Sequence, residues 1–333
     1  MSILNLISDE ELKILSIDQI KQIIGPKMRG LTIQTPIISK GTFLYRARKL
    51  GGSFQKNKEM SISELTYPPV ELATIGRVNR ENSSLFYCSL SKEAVFYELP
   101  LNVGNEIILS FWQVHKDIIV NNIGYTQKTF NQLSAKRICP KWTVSTNANI
   151  SRSSVEDIDP TVLEKIKLGA GENADLLESL SSAFMCNVDE NNVYRYKLTV
   201  AIAECHLGDI CNSNEKINGI LYPSVRTMAE EDNLAINPAF ADQYLILKKA
   251  MHIRIDDKSE KNFSITMLDQ AALGNDESLV WLGGLPTSPI MTACTITAVA
   301  GVDNNGDYFR STEGIPCHWR IIDENTGVVH TFT

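Results

Sequence analysis

Thr42-Phe43-Leu44-Tyr45-Arg46-Ala47-Arg48 reads as a β-strand, an aromatic and aliphatic run that passes into the alternation Tyr45-Arg46-Ala47-Arg48. Leu85-Phe-Tyr-Cys88, Ile107-Ile-Leu-Ser-Phe-Trp-Gln-Val114 and Tyr194-Arg-Tyr-Lys-Leu-Thr-Val-Ala-Ile-Ala203 read as strands on the same grounds. So do Asn218-Gly-Ile-Leu-Tyr222, stopped by Pro223, then Asn233-Leu-Ala-Ile236, ending before Pro238, and Gln243-Tyr-Leu-Ile-Leu247. Helices are predicted over 8–25, capped at Ser8 and closed by Gly25-Pro26, over Ser91–Leu99 with Ser89 or Ser91 as cap, and around 127–135 and 160–185. Between Gly51 and Asn82 runs a polar, irregular stretch, and a loop of that length inside a compact domain is either disordered or functional. After residue 252, short alternating runs such as His318–Asp323 and Val328–Phe332 are accompanied by turn signals at Asp303-Asn-Asn-Gly306 and Asn325-Thr-Gly327. The expected fold is α+β: a mixed, largely antiparallel central sheet with flanking helices and a small β-rich C-terminal appendage. The expected division is an N-terminal helical extension at 1–39, a catalytic domain at 40–252 and a β-rich extension at 253–333.

The chain has 333 residues, 43% hydrophobic and 21% charged, enough for a substantial core. A net charge of −7 argues against broad electrostatic attraction to nucleic acid or anionic membrane, yet leaves room for a local basic pocket that takes a small anion. Seven cysteines (Cys88, Cys139, Cys186, Cys205, Cys211, Cys294, Cys317) form no CxxC pair and read as reduced thiols. Cys205-His206 and Cys317-His318 lack a second close pair at zinc-finger spacing, so no metal site is expected. The first twenty residues lack a basic stretch followed by an apolar core, and no window approaches 18 apolar residues. A cytoplasmic protein is expected.

Three clusters could carry chemistry: Tyr45-Arg46-Ala47-Arg48; Gly76-Arg77-Val78-Asn79, followed by Tyr87 and Glu98; and Tyr222-Pro-Ser224-Val-Arg226. In a helix starting near Lys92, Ala94, Val95 and Glu98 share one face, which would set a carboxylate among apolar neighbours. Such a group is paired or used, because burying it alone is costly; a salt bridge to Arg46 or Arg77, or an exposed helix end, is the plainer reading. The arginines could equally point into solvent from an alternating strand. Arg77, behind a glycine in a long loop, is nonetheless placed where backbone can approach a ligand, and arginine forks match phosphate oxygens. Ser224 at a strand end is most simply a turn former. GxSxG, GxGxxG, GxxxxGK[ST] and HExxH are all absent, so serine-hydrolase, Rossmann, P-loop and zincin readings have no support.

In order along the chain, Leu44-Tyr-Arg-Ala47, Tyr67-Pro-Pro69, Gly76-Arg-Val-Asn79, Leu85-Phe-Tyr-Cys-Ser89 with Ala94 to Glu98, Gly219-Ile-Leu-Tyr-Pro-Ser-Val-Arg226 and Asn233-Leu-Ala-Ile236 resemble the RES domain. This is the toxin half of certain bacterial toxin–antitoxin pairs. Each motif is weak alone; the order and the spacing of about ten residues from Tyr67 to Arg77, Tyr87 and Glu98 make the set specific over roughly residues 40–250. The resemblance implies an ADP-ribosyltransferase-like fold and an NAD⁺-degrading enzyme, a glycohydrolase or phosphorylase, acting as a toxin or defence effector. It implies Glu98, Arg46 and Ser224 as catalytic residues, and Arg77, Tyr67 and Tyr87 as substrate-binding residues on the diphosphate, the nicotinamide or its ribose. No role is implied for Arg48. NAD⁺ would be substrate, with no cofactor and no metal. A helix-turn-helix antitoxin is the partner such systems imply; a second copy of the chain is left open, and direct contact with nucleic acid or membrane is not expected. The alternatives are a mono-ADP-ribosyltransferase acting on a protein and a catalytically idle binding module. The chain departs from the small toxins in adding about forty residues before the core and about eighty after it.

Overall fold

The computed structural model describes residues 7–29, 35–52, 54–56, 60–126, 129, 174–207, 217–259, 262–273 and 279–281, with short strands at 294–297, 301–302, 308–309, 319–322 and 329–332. In chain order the helices are α1 (Asp9–Ile14), α2 (Ile17–Met28), α3 (Ala94–Glu98), α4 (Ala174–Phe184), α5 (Tyr196–Leu207) and α6 (Pro238–Tyr244). The strands begin with β1 (Ile37–Ile38), β2 (Phe43–Lys49), β3 (Phe86–Ser89), β4 (Glu106–Val114) and β5 (Ile118–Asn122). They continue with β6 (Gly219–Pro223), β7 (Asp232–Ile236), β8 (Leu245–Lys258), β9 (Asn262–Leu273), β10 (Leu279–Trp281) and β11 (Cys294–Thr297). Two short ribbons follow: β12 (Gly301–Val302) with β13 (Tyr308–Phe309), and β14 (Trp319–Ile322) with β15 (Val329–Phe332). The fold is mixed α+β with a large, mostly antiparallel sheet and helices.

Two compact units are each assembled from separated segments: Met1–Thr42, Tyr67–Tyr87 and Val114–Tyr244 in the first, Phe43–Thr66, Cys88–Gln113 and Leu245–Thr333 in the second. β8 runs through residue 252, and the second unit takes in everything that follows.

The first unit has the strand order β1-β5-β6-β7. β1 and β5 are antiparallel, β5 and β6 parallel (Val120 opposite Gly219), and β6 and β7 antiparallel (Tyr222 opposite Asn233). Every residue of β6 and β7 is buried, as befits strands covered on both faces. Gly219 is required there, because a Cβ would lie 2.3 Å from the Ala235 carbonyl oxygen. Their core is shared with Ile20, Ile24 and Met28 of α2, Leu180, Ala183 and Phe184 of α4, and Leu198, Ala201 and Ile202 of α5. Full burial of each such aliphatic or aromatic side chain contributes roughly 1.5–3 kcal/mol.

Three expectations are corrected here. The single helix over 8–25 is two. Ser8 and Glu11 form one capping box and Ser16 and Gln19 a second, so Leu15 turns extended and the chain restarts a helix. Gly25-Pro26 lies inside α2, in its last turn, where a missing N–H is tolerated because buried Ile24 and Met28 hold the helix to the core. Second, Tyr194–Ala203 is a 3₁₀ turn running into α5, not a strand. Leu198, Val200, Ala201, Ile202 and Ala203 are all buried, and a helix apolar almost all round cannot be told from a buried strand by its period. Third, Gln243 and Tyr244 end α6, and the strand expected there starts at Leu245. The helix expected around 127–135 lies outside the described residues but for Thr129, as do the two tail turns.

The second unit has the order β3-β2-β4-β8-β9-β10, with β11 on the other part of β9. β2 pairs with β4 over its whole length, Tyr45 opposite Phe111 and Arg46 opposite Ser110. On one face Tyr45 and Ala47 pack with Ile107, Leu109 and Phe111 of β4, Met251, Ile253 and Ile255 of β8, and Val95 and Phe96 of α3.

Candidate functional site

β-strand alternation sends Arg46 and Arg48 to the face of β2 opposite Tyr45 and Ala47, hence away from the face on which Val95 and Phe96 of α3 pack. On that side a 3₁₀ turn, Ile62–Leu65, ends with outward carbonyls. The Arg46 Nε–H donates to the Thr66 carbonyl at 2.9 Å, and an Arg48 guanidinium N–H donates to that of Glu64 at 2.7 Å. Arg48 also lies 3.9 Å from the centre of the Phe54 ring, and its burial lowers its pKa.

Glu98 is the last residue of α3, a helix of five residues. The Ser91 hydroxyl accepts from the Ala94 N–H at 3.2 Å, so the helix starts two residues later than expected. Ala94 and Val95 are buried, but Glu98 is exposed where Leu99 turns extended ahead of Pro100. The expectation of a carboxylate on a buried apolar face is therefore corrected: Glu98, the last residue of this five-residue helix, is exposed.

In the first unit the Arg77 guanidinium donates to the carbonyls of Phe184 and, at 3.1 Å, Cys186, closing the C-terminal end of α4. It lies 5.9 Å from the Phe184 ring and 5.8 Å from the Tyr196 ring. Tyr87 accepts from the Val78 N–H at 3.0 Å and donates to Asn79 Oδ1 at 2.8 Å, and burial pushes its phenol pKa up. Asn79 is buried, its amide nitrogen 2.8 Å from the carbonyls of Thr74, Arg80 and Ser83. Gly76 must be glycine, since a Cβ would sit 2.5 Å from Asn79 Oδ1.

Phe184 meets Tyr222 edge-on at 5.6 Å, which brings the β6 motif to the same place. Val78, Tyr87, Tyr222 and Val225 share one core. Ser224 is fully buried; its hydroxyl accepts from the Thr227 N–H at 3.1 Å, its N–H donates to the Glu231 carbonyl at 2.7 Å and its own carbonyl accepts from Ala229 at 2.8 Å. The turn it forms places Met228 and Ala229 at φ 53° and 61°, left-handed values that are costly for residues with a Cβ. The Tyr67 hydroxyl donates to the Asp242 carboxylate at 2.8 Å.

Arg77, Tyr87 and the Tyr222–Ser224 strand end are thus gathered in the first unit, with Asn233 opposite Tyr222, while Arg46 and Glu98 belong to the second. Sequence reading missed two features. Phe184 and Cys186 act through backbone carbonyls, which carry no sequence signal. Buried Asp232, which accepts from the Tyr125 hydroxyl at 2.7 Å, sits one residue ahead of a quoted motif. Among the described residues no three His, Cys, Asp or Glu side chains could hold a metal ion, and no helix is long and apolar enough to cross a membrane. Comparison of the chain with protein-family models, curated proteins and solved structures gives no match.

Proposed function

We propose that the chain cleaves the nicotinamide–ribose bond of NAD⁺ in the manner of the RES-domain enzymes, as a bacterial toxin or defence effector. The observation that carries this reading is the meeting of motifs far apart in sequence. Gly76–Asn79, Leu85–Tyr87, Tyr222–Ser224 and Asn233 come together in one core, although more than a hundred residues separate the second from the third. Pattern matches along a chain need not converge in space.

In the reaction the C1′–N bond breaks, its electron pair goes to the pyridinium nitrogen, and neutral nicotinamide leaves. Positive charge builds on the ribose, as in glycoside cleavage. The Glu98 carboxylate, exposed at its helix end, stabilises that charge and orients the acceptor. Water then adds to C1′ with loss of a proton to give ADP-ribose; phosphate gives ADP-ribose 1″-phosphate. Arg77 enters through the loop it anchors, since its fork is engaged by Phe184 and Cys186. Ser224 enters through the turn that shapes the end of β6.

The test is incubation of the purified protein and its Glu98→Gln variant with NAD⁺, with and without phosphate, reading products by mass. The expected result is nicotinamide release by the wild type and a loss of roughly 100-fold or more in the variant. ADP-ribose identifies a glycohydrolase, its 1″-phosphate a phosphorylase. Label retained on protein would move the assignment to ADP-ribosyl transfer. No release and no labelling by a folded wild type would end it.

A further inference from the structure

β8, β9 and β10 bring a separate set of side chains together by register. His252 stands opposite Asp269, and Trp281 opposite Ala271, two residues further along β9. Alternation therefore sends His252, Asp269 and Trp281 to one face, away from the core face that carries Met251 and Ile253. Glu106 of β4 joins them, 2.6 Å from His252 Nε2. Lys56, beyond the end of β2, completes the set: its ammonium lies 2.5 Å from the Asp269 carboxylate and 4.6 Å from the centre of the Trp281 ring. The His252 ring meets the same indole edge-on at 6.4 Å. Asp269 and His252 are buried, and Glu106 is partly exposed. Two residues before Lys56, the buried Phe54 ring lies 3.9 Å from the Arg48 guanidinium.

One indole thus has a permanent cation over its face and a titratable ring at its edge. Burial first, and the Lys56 charge after it, lower the His252 pKa; Glu106 and Asp269 raise it, and the net shift is downward from 6.5. His252 is therefore mostly neutral at pH 7 and takes its proton only under more acid conditions. Such a coupling runs in both directions: a docked Lys56 opposes the proton on His252, so that proton opposes the docking of Lys56 by the same free energy. Once His252 is charged, Glu106 holds the imidazolium and Asp269 faces two cations instead of one. We infer that His252 is a proton-operated release for the Lys56–Asp269 clasp, which holds Phe54–Lys56 on the sheet of the second unit. The clasp is complete above about pH 6.5 and weakens as the pH falls through the lower value of the folded state.

The test is a pH titration of the full chain by NMR, reading the His252 imidazole and the Lys56 side-chain methylene protons, which the Trp281 ring shields. In the wild type the Lys56 signals are expected to move to ordinary lysine values with the same midpoint as His252. In His252→Gln they should stay shielded over the same range. Lys56→Met should raise the His252 midpoint by about one unit, the effect of removing a nearby cation. Should Lys56→Met misfold, the wild type and His252→Gln decide the matter between them. Lys56 signals that ignore the His252 midpoint, or that move as much in His252→Gln, overturn the inference. So does a His252 midpoint that a folded Lys56→Met leaves unchanged or lowers. No NAD⁺ enters the measurement, so its outcome is separate from that of the proposed reaction.

Discussion

Both compact units satisfy charged side chains with carbonyls and carboxylates, Arg46, Arg48 and Lys56 of the second as much as Arg77 of the first, and they differ in what is left at the surface. In the first, Arg77 closes on two carbonyls at the end of α4, and Arg80 grips Asp18 and Glu204 while Lys21 shares Glu204. In the second, Glu98 is exposed where α3 stops. A guanidinium that satisfies carbonyls at a helix end belongs to the folding energetics, whereas a side chain exposed at the end of a short helix carries little of them. The contrast predicts which substitutions cost stability and which cost binding or turnover.

The largest stability effect should come from Arg77→Leu, which leaves the carbonyls of Phe184 and Cys186 without a donor. At about 1–3 kcal/mol for each buried group left unsatisfied, a loss of roughly 3 kcal/mol in urea unfolding is expected. A loss under about 1 kcal/mol would break the contrast.

Acid should act next, through His206 of α5. Burial pushes its pKa down to about 4, and Nδ1 sits 2.9 Å from the Ile202 carbonyl. The unfolded chain binds the proton near pH 6.5, so the native state holds the less basic form. That stability is complete above about pH 6.5 and declines as pH falls through about 4, by roughly 3 kcal/mol. His252 in the second unit is lowered in the same direction by burial, but its 2.6 Å contact with Glu106 opposes the shift. Unfolding followed from pH 7 to 4 should therefore lose most of its slope in His206→Gln; an unchanged slope would assign the acid sensitivity elsewhere.

The smallest effect is expected at Tyr67→Phe, which removes one hydrogen bond to exposed Asp242. A change below about 1 kcal/mol is expected in the same urea assay.

Most strands were legible in the sequence because alternation and turn residues act locally: β2, β3, β4, β6 and β7 fall where their apolar runs do. α5 was not, because a fully buried helix and a fully buried strand share one requirement, an unbroken apolar run. The break between α1 and α2 was legible in principle, since Ser16 and Gln19 repeat the spacing of Ser8 and Glu11. For the candidate site, residue types could be read but not their partners. The sequence marked Arg77 and Ser224 as conspicuous; only the fold shows the first on carbonyls of α4 and the second closing a turn. The set about Trp281 went unnoticed because His252, Asp269 and Trp281 lie apart in sequence, and only strand register brings them to one face.

The parallel seam between β5 and β6 bears on how the chain reaches this state. Asn122 and Gly219 are separated by roughly a hundred residues, and the seam cannot form until that span has been brought round. Antiparallel neighbours such as β6 and β7, joined by a short turn, close over far smaller separations. Contacts of high sequence separation slow folding, so the β5–β6 seam sets a late step, and the tight approach of Gly219 to Ala235 can be complete while β5 is still unplaced.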